Sequence, residues 1–407
     1  MHRPITASML YDLVQCPHRL FLDVHEDPDQ RDPVNAFVQL LWEKGTVYEK
    51  DVIQSLKVPF TDLSKEKLEV REKLTMEAIA RGDNLIYGGR IWAGDLLGIP
   101  DLLLKRDNGY VAGDIKSGSG FEDGSSDDSD GRPKKHYAVQ LALYTDILEK
   151  MGISAGRFPF IWDIDGKQVY YDLNSPPGPR SRQTLWELYD DCLSQAYRIV
   201  TLKEITLPAY SATCKLCHWH SLCKHQLHQT DDLTLIPDLG RSKRDVMYPT
   251  VKSVKEFARK DLSPLIHHKK TVFQGIGIDT LKKFHIRAAL LSDSQPAPFI
   301  KTPPKLPSAE KELFFDIETD PMRDICYLHG FLERNGKKDV YERYVAFLAQ
   351  TPTREDERLA FAQAWEYTRS SSPCTIYYYS KYERTWWRKL QKRYPDVASE
   401  SQIEEMF

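Results

Sequence analysis

No apolar run in the 407 residues approaches the roughly 18 that a membrane-spanning helix needs, which excludes such a span. The opening Met1-His2-Arg3-Pro4 does not begin a signal peptide, so the expected location is the cytoplasm. Cysteine is scarce, with seven in the whole chain. In a reducing compartment this argues against a disulfide framework and leaves metal ligation or free thiols. Charge of one sign is also lacking: the net charge of -3 points to no partner by itself. Internal repeats are absent. What remains, with 41% hydrophobic and 28% charged residues, is the composition of an ordinary globular chain long enough for two or three domains.

The scarce cysteines are unevenly placed. Cys16 stands alone before Pro17, and Cys214, Cys217 and Cys223 follow almost two hundred residues later in a C-x2-C-x5-C run. Four thiolates suit a [4Fe-4S] cluster or a structural zinc, and His218 and His220 keep zinc in play. Either centre would staple together the two ends of one domain. Cys192, Cys326 and Cys374 have no ligand-like neighbours and read as buried free thiols.

Inside the cysteine brackets the chain alternates helical patterns with short strand runs such as Leu102-Leu103-Leu104 and Tyr110-Val111-Ala112, an α/β signature. Residues 121–131 form a polar, acidic insert that reads as a solvated loop. Around the two runs, Pro100-Asp101-Leu102 and Gly113-Asp114-Ile115-Lys116 flank an Asp107-Asn108-Gly109 turn, predicting a hairpin that delivers a carboxylate from each strand. Asp114 and Lys116 share a face because strand side chains repeat every second residue. Asp101, Asp114 and the Ile115 carbonyl are hard oxygen donors for Mg²⁺ or Mn²⁺, and Lys116 is placed to orient water or offset developing charge. Glu49, on a predicted helix, offers a third acidic ligand. Gln140 and Tyr144, four residues apart on a helix predicted from His136 to Met151, point the same way.

The order of acid on a helix, Asp, D-x-K and Q-x3-Y inside the cysteines resembles the RecB-like nucleases of the PD-(D/E)XK superfamily. It resembles in particular those with an iron-sulfur cluster, such as the CRISPR-associated exonucleases. The resemblance covers about residues 5–226. It implies that Glu49, Asp101 and Asp114 bind metal, that Lys116 is the catalytic lysine, that Gln140 and Tyr144 lie beside DNA, and that Cys16, Cys214, Cys217 and Cys223 hold a [4Fe-4S] cluster. The chain departs from the family in carrying Tyr48-Glu49 where many members carry His, and Asp-Ile-Lys in place of Glu-x-Lys.

Residues 241–287 hold twelve Lys/Arg against four Asp/Glu. Gly-containing turns before two predicted helices, at Gly240 and at Gly275-Ile276-Gly277, resemble tandem helix-hairpin-helix units that grip DNA backbone. There Gly275, Gly277, Lys252 and Lys255 are the candidate contacts. Prolines 296 to 307 mark a linker. Beyond it Phe314-Phe315-Asp316-Ile317-Glu318 resembles the first motif of an RNase H-like, DEDD-type exonuclease, with Asp316 and Glu318 as a second site, and this domain is expected to be incomplete at Phe407.

The expected organisation is α/β: a PD-(D/E)XK restriction-endonuclease-like core over 1–228, a small all-α connector over 229–300 and a partial RNase H-like domain over 301–407. The expected activity is metal-dependent hydrolysis of DNA, single-stranded or at ends, in repair, recombination or defence, with a helicase or other processing subunit as partner. One alternative is a DNA-binding subunit with a weak or silent nuclease centre. Another is an exonuclease working through Asp316 and Glu318.

Overall fold

The computed structural model describes residues 3–122, 131–179, 181–297, 300, 302–307, 309–320, 323–335 and 341–407. Two compact units divide the chain, residues 1–297 and 298–407. The insert 121–131 lies for the most part outside the described residues. Among those residues no helix is long and apolar enough to cross a membrane.

In the first unit the short apolar runs pair into a six-stranded mixed sheet. Its order is Thr61–Asp62, Leu85–Tyr87, Leu102–Arg106, Gly109–Ile115, Phe160–Trp162, Gln168–Tyr170. Both runs read as strands from the sequence form its central hairpin, with Leu102 opposite Gly113 and Arg106 opposite Gly109. The hairpin turn needs glycine: Gly109 has φ 149°, and a Cβ there would lie 2.3 Å from the Ile153 carbonyl oxygen.

Strand alternation sends Leu103, Ala112 and Ile161 to one face and Leu102, Val111 and Phe160 to the other. The first face is covered by helices Ala7–Gln15, Lys135–Lys150 and Leu185–Val200. Helix Lys135–Lys150 is buried nearly all round, from Ala138 to Leu148 apart from Gln140, so it lies in the middle of this layer. Its Leu141, Leu143 and Ile147 are fully buried, each contributing about 1.5–3 kcal/mol relative to exposure. The second face is covered by the C-terminal half of helix Ala36–Ser55, through Val52 and Ile53.

Residues 233–288 gather a separate apolar cluster under helices Gly240–Met247, Val254–Arg259 and Ile278–Ser292. Buried Arg244 joins it to the preceding segment, donating to Asp232 Oδ2 at 2.8 Å and to the Pro208 carbonyl at 3.1 Å. The connector therefore belongs to the same compact unit as the core. Besides helices it holds a small hairpin, Ile266–His267 with Lys270–Thr271.

The second unit is built on a four-stranded sheet in the order Tyr341–Leu348, Ile325–Asn335, Lys311–Asp320, Thr375–Tyr378, the last strand running parallel to its neighbour. Leu313, Phe315 and Ile317 face helices Arg354–Ser370 and Lys381–Arg393 across a core centred on Trp387. Buried Glu357 is held by Arg393, by the Tyr394 hydroxyl and by the Cys326 N–H.

Three histidines are kept neutral by burial. His329, which accepts the Trp387 indole N–H at 3.1 Å, is pushed down to about 3, and His18 and His136 to about 4. The unfolded chain protonates these rings near pH 6.5 and the folded chain does not, so their contribution is full above that pH and is lost as pH falls toward 4. The thermal midpoint is expected to drop steadily between pH 6.5 and 5. His329→Gln, which keeps an acceptor for Trp387 but cannot titrate, should flatten that slope in calorimetry. An unchanged slope would show that His329 is protonated in the folded state.

Candidate active site

The hairpin register fixes the centre. Since Leu102 opposes Gly113, the residues just outside that pair, Asp101 and Asp114, oppose each other across the strands. Asp101 lies immediately before its strand, and its backbone N–H donates to Asp114 Oδ1 at 3.3 Å. Its own Oδ2 accepts the Ile115 N–H at 2.7 Å, so the carboxylate reaches the amide of the residue whose carbonyl was expected as a ligand. Asp114 is 1% exposed. Lys116 Nζ sits 3.0 Å from Asp114 Oδ2 as an ion pair, yet no donor is aligned on that oxygen in hydrogen-bonding geometry.

The electrostatics follow from this crowding. Burial, then the Asp114 charge, holds Asp101 well above the usual carboxylate range. Burial works against the Lys116 ammonium, but Asp114 and Asp101 outweigh it and hold its pKa above the ordinary lysine value. Lys116 is a fixed cation. Glu49, on helix Ala36–Ser55, adds its charge to Asp101, and its Oε1 accepts the Tyr87 hydroxyl at 2.8 Å. Tyr48 is turned elsewhere, its hydroxyl bonding the Asp163 carbonyl and tying the helix to the sheet edge.

Gln140 and Tyr144 share a helix face as expected, and Gln140 Nε2 donates to the Tyr144 hydroxyl at 3.1 Å. Tyr144 is not at the surface, however: it is 3% exposed, and its hydroxyl donates to the Ile99 carbonyl at 3.3 Å. Its ring fills the space beside Gly98, where a Cβ would come within 2.7 Å of Tyr144 Cδ1. It therefore positions the Pro100-Asp101 segment, and Gln140 is the member of the pair that reaches solvent.

Sequence reasoning missed the wall beside Lys116. A cavity of about 260 Å³ is lined by Lys116 and Gln140 with Ser8, Tyr11, Asp12 and Tyr137. Burial raises the Asp12 carboxyl to about 6 against the opposing charge of Arg19. Tyr137 had a readable signal, three residues before Gln140 and so on the same helix side; Tyr11 and Asp12 had none, being brought in by tertiary packing.

Cys16 lies between helices Ala7–Gln15 and Pro17–His25, and packing brings it to the Cys214–Cys223 segment. Burial lifts the Cys223 thiol to about 12, with Cys217, Cys16 and Cys214 adding to the shift, so the four sulfurs feel one another. Among the described residues no three His, Cys, Asp or Glu side chains converge closely enough to hold a metal ion, carboxylates and thiols alike. Three of the sulfurs accept from nearby donors: Arg241 on Cys16 at 3.3 Å, the Ser211 N–H on Cys214 at 3.4 Å and the Trp219 N–H on Cys217 at 3.4 Å. Of the other cysteines, Cys192 and Cys326 are buried free thiols, and Cys374 is half-buried.

The same segment anchors the approach to helix Ala36–Ser55. Asp32 N–H donates to the His218 carbonyl at 2.7 Å, and Asp32 Oδ2 accepts the Ser221 N–H at 2.8 Å. Asp23 Oδ1 pairs with His218 Nε2 at 2.7 Å and accepts the Trp219 indole N–H at 3.0 Å.

In the connector Gly275 has φ 75°, and Gly277 caps helix Ile278–Ser292 without a side-chain bond. In the second unit Asp316 and Glu318 are exposed on the sheet face opposite the core, and Asp316 Oδ1 accepts the neighbouring Ile317 N–H.

A family model for the PD-(D/E)XK nuclease superfamily matches residues 8–224, more than half of the chain, and one for the RNase H superfamily matches residues 313–405. No curated protein matches the chain.

Proposed function

The chain belongs to the PD-(D/E)XK nuclease superfamily and carries an RNase H-like domain, and from that premise we propose that it hydrolyses DNA, single-stranded or at ends, in repair, recombination or defence. The observation that carries this reading is the buried Asp114 oxygen with no aligned donor, beside Asp101 and the Lys116 cation. A buried carboxylate oxygen left in that state suits a cation.

Asp101 and Asp114, with Glu49 and the Ile115 carbonyl, would hold Mg²⁺ or Mn²⁺, which supplies a Lewis acid for the phosphate and a more acidic water. Lys116 would keep its proton at Nζ, beside Asp114, and face the charge that develops on the phosphate. Tyr87 keeps Glu49 oriented. Gln140, at the rim, is a contact for the strand.

Cys16, Cys214, Cys217 and Cys223 would hold a [4Fe-4S] cluster. The N–H groups now directed at Cys214 and Cys217 fit sulfurs that carry negative charge. Gly275, Gly277, Lys252 and Lys255 grip DNA backbone without reading sequence. A helicase or other processing subunit delivers the strand, in the cytoplasm.

A second reading, a DNA-binding subunit with a weak centre, draws support from the absence of three converging ligands among the described residues. Degradation of end-labelled single- and double-stranded DNA and RNA with Mg²⁺ or Mn²⁺ separates the two. In that assay Asp316→Asn with Glu318→Gln is expected to leave the rate essentially unchanged, since among the described residues no third metal-binding side chain stands with that exposed pair. Activity lost with Asp316 and Glu318 but kept without Asp114 would move the reaction to the RNase H-like domain.

A further inference from the structure

Helix Ala36–Ser55 has one stripe turned to the domain. Val52 and Ile53 are buried on the sheet, and Glu49 faces Tyr87 and Asp101. One turn earlier, a Cβ on Gly45 would lie 3.8 Å from Ser117 Oγ, so the helix there crosses the segment just after Lys116. Trp42 continues the same line, three residues before Gly45 and seven before Glu49. Seven residues are about two turns and return within about 20° of the same direction, roughly 10 Å along the axis.

Yet Trp42 is 61% exposed. Among the described residues it belongs to no core cluster and makes no ring contact. On the side of the helix that carries Glu49, Trp42 thus stands uncovered beside the partly covered Val38 and Leu41. Phe37, Leu40 and Val47, also exposed, point to the other side of the helix and have no such relation to the site.

We propose that Trp42 is a stacking platform for a nucleobase of single-stranded DNA, holding the strand whose phosphate reaches Asp101, Asp114 and Lys116. The occupant follows from position: an indole on the Glu49 side of the helix, roughly 10 Å along the axis from that carboxylate, meets what is bound there, and an unstacked base offers it a flat partner. A duplex keeps its bases stacked on each other and offers none. The proposal rests on the nuclease reading, and it makes Trp42 a positioning residue rather than a catalytic one.

The test is binding of a fluorescein-labelled single-stranded oligodeoxynucleotide, and of its duplex form, to the full chain carrying Asp114→Asn, so that affinity is read without cleavage. Base–aromatic stacking predicts that adding Trp42→Ala weakens single-strand binding between about fivefold and a hundredfold, with Trp42→Phe retaining most of it and duplex binding barely moved. An unchanged thermal midpoint for Trp42→Ala confirms that the fold is intact, as an exposed side chain implies. Single-strand binding equal in all Trp42 variants would overturn the proposal, as would an equal loss on duplex. Cleavage by the Asp114→Asn protein at the wild-type rate would instead defeat the nuclease reading, whatever Trp42 does to binding.

Discussion

Asp114→Asn is expected to abolish DNA cleavage while leaving the fold and most DNA binding in place. The carboxylate is at the centre of the opposed pair and almost wholly buried, so its charge serves the ion and the lysine rather than the surface. Lys116→Ala should also lower the rate, by about a hundredfold to a thousandfold, the range for removing one preorganised group that meets developing charge. The two variants differ in stability. Asparagine relieves the crowding of Asp101, whereas Lys116→Ala leaves the buried Asp114 charge without its cation, which costs about 3–5 kcal/mol. Added Mg²⁺ should therefore raise the thermal midpoint of Lys116→Ala more than that of the wild type, where the ammonium competes for the same oxygen. End-labelled DNA assays and scanning fluorimetry with and without Mg²⁺ read both effects. Wild-type cleavage by both variants would remove this site from the reaction.

Cys16→Ala should have the second largest effect. Protein prepared without oxygen is expected to be brown, with iron and acid-labile sulfide, and the variant should lose both. Because metal binding is also folding free energy, a centre worth about 4 kcal/mol would take roughly 10 °C from the midpoint when lost. Wild-type protein carrying stoichiometric zinc and no iron would replace the cluster with a structural zinc. The loss should also reach the active site, since Asp32 and Asn35 fasten the start of helix Ala36–Ser55 to the cysteine segment and Glu49 rides on that helix.

Local features of the site were legible in the sequence and tertiary ones were not. Asp101, Asp114 and Lys116 could be read because a hairpin with a glycine turn fixes its own register. Glu49 fell on a helix as expected, and so did the Gln140 and Tyr144 pair. Periodicity gave their common side but not their depth, because Lys135–Lys150 lies between layers and the Tyr144 face meets Gly98. Tyr11 and Asp12 come from a helix more than a hundred residues away in sequence from Lys116. The spacing of Cys16 from the other thiols suggested a staple. That Arg241 and two backbone N–H groups would donate to three of the sulfurs depends on loop conformation, which no spacing encodes.

The opposed carboxylates give the distance between them a simple parity. Asp101 and Asp114 stand thirteen positions apart because two ladder arms and one turn add up to that number, not because the chemistry asks for it. A residue added within either arm would turn every side chain beyond it to the opposite face and send one carboxylate into the apolar layer. Length can change at the turn, outside the paired arms, and leave both acids where they are. Sequences built on this hairpin can therefore differ widely in the stretch between the two acids while the dipeptide steps at its two ends stay fixed.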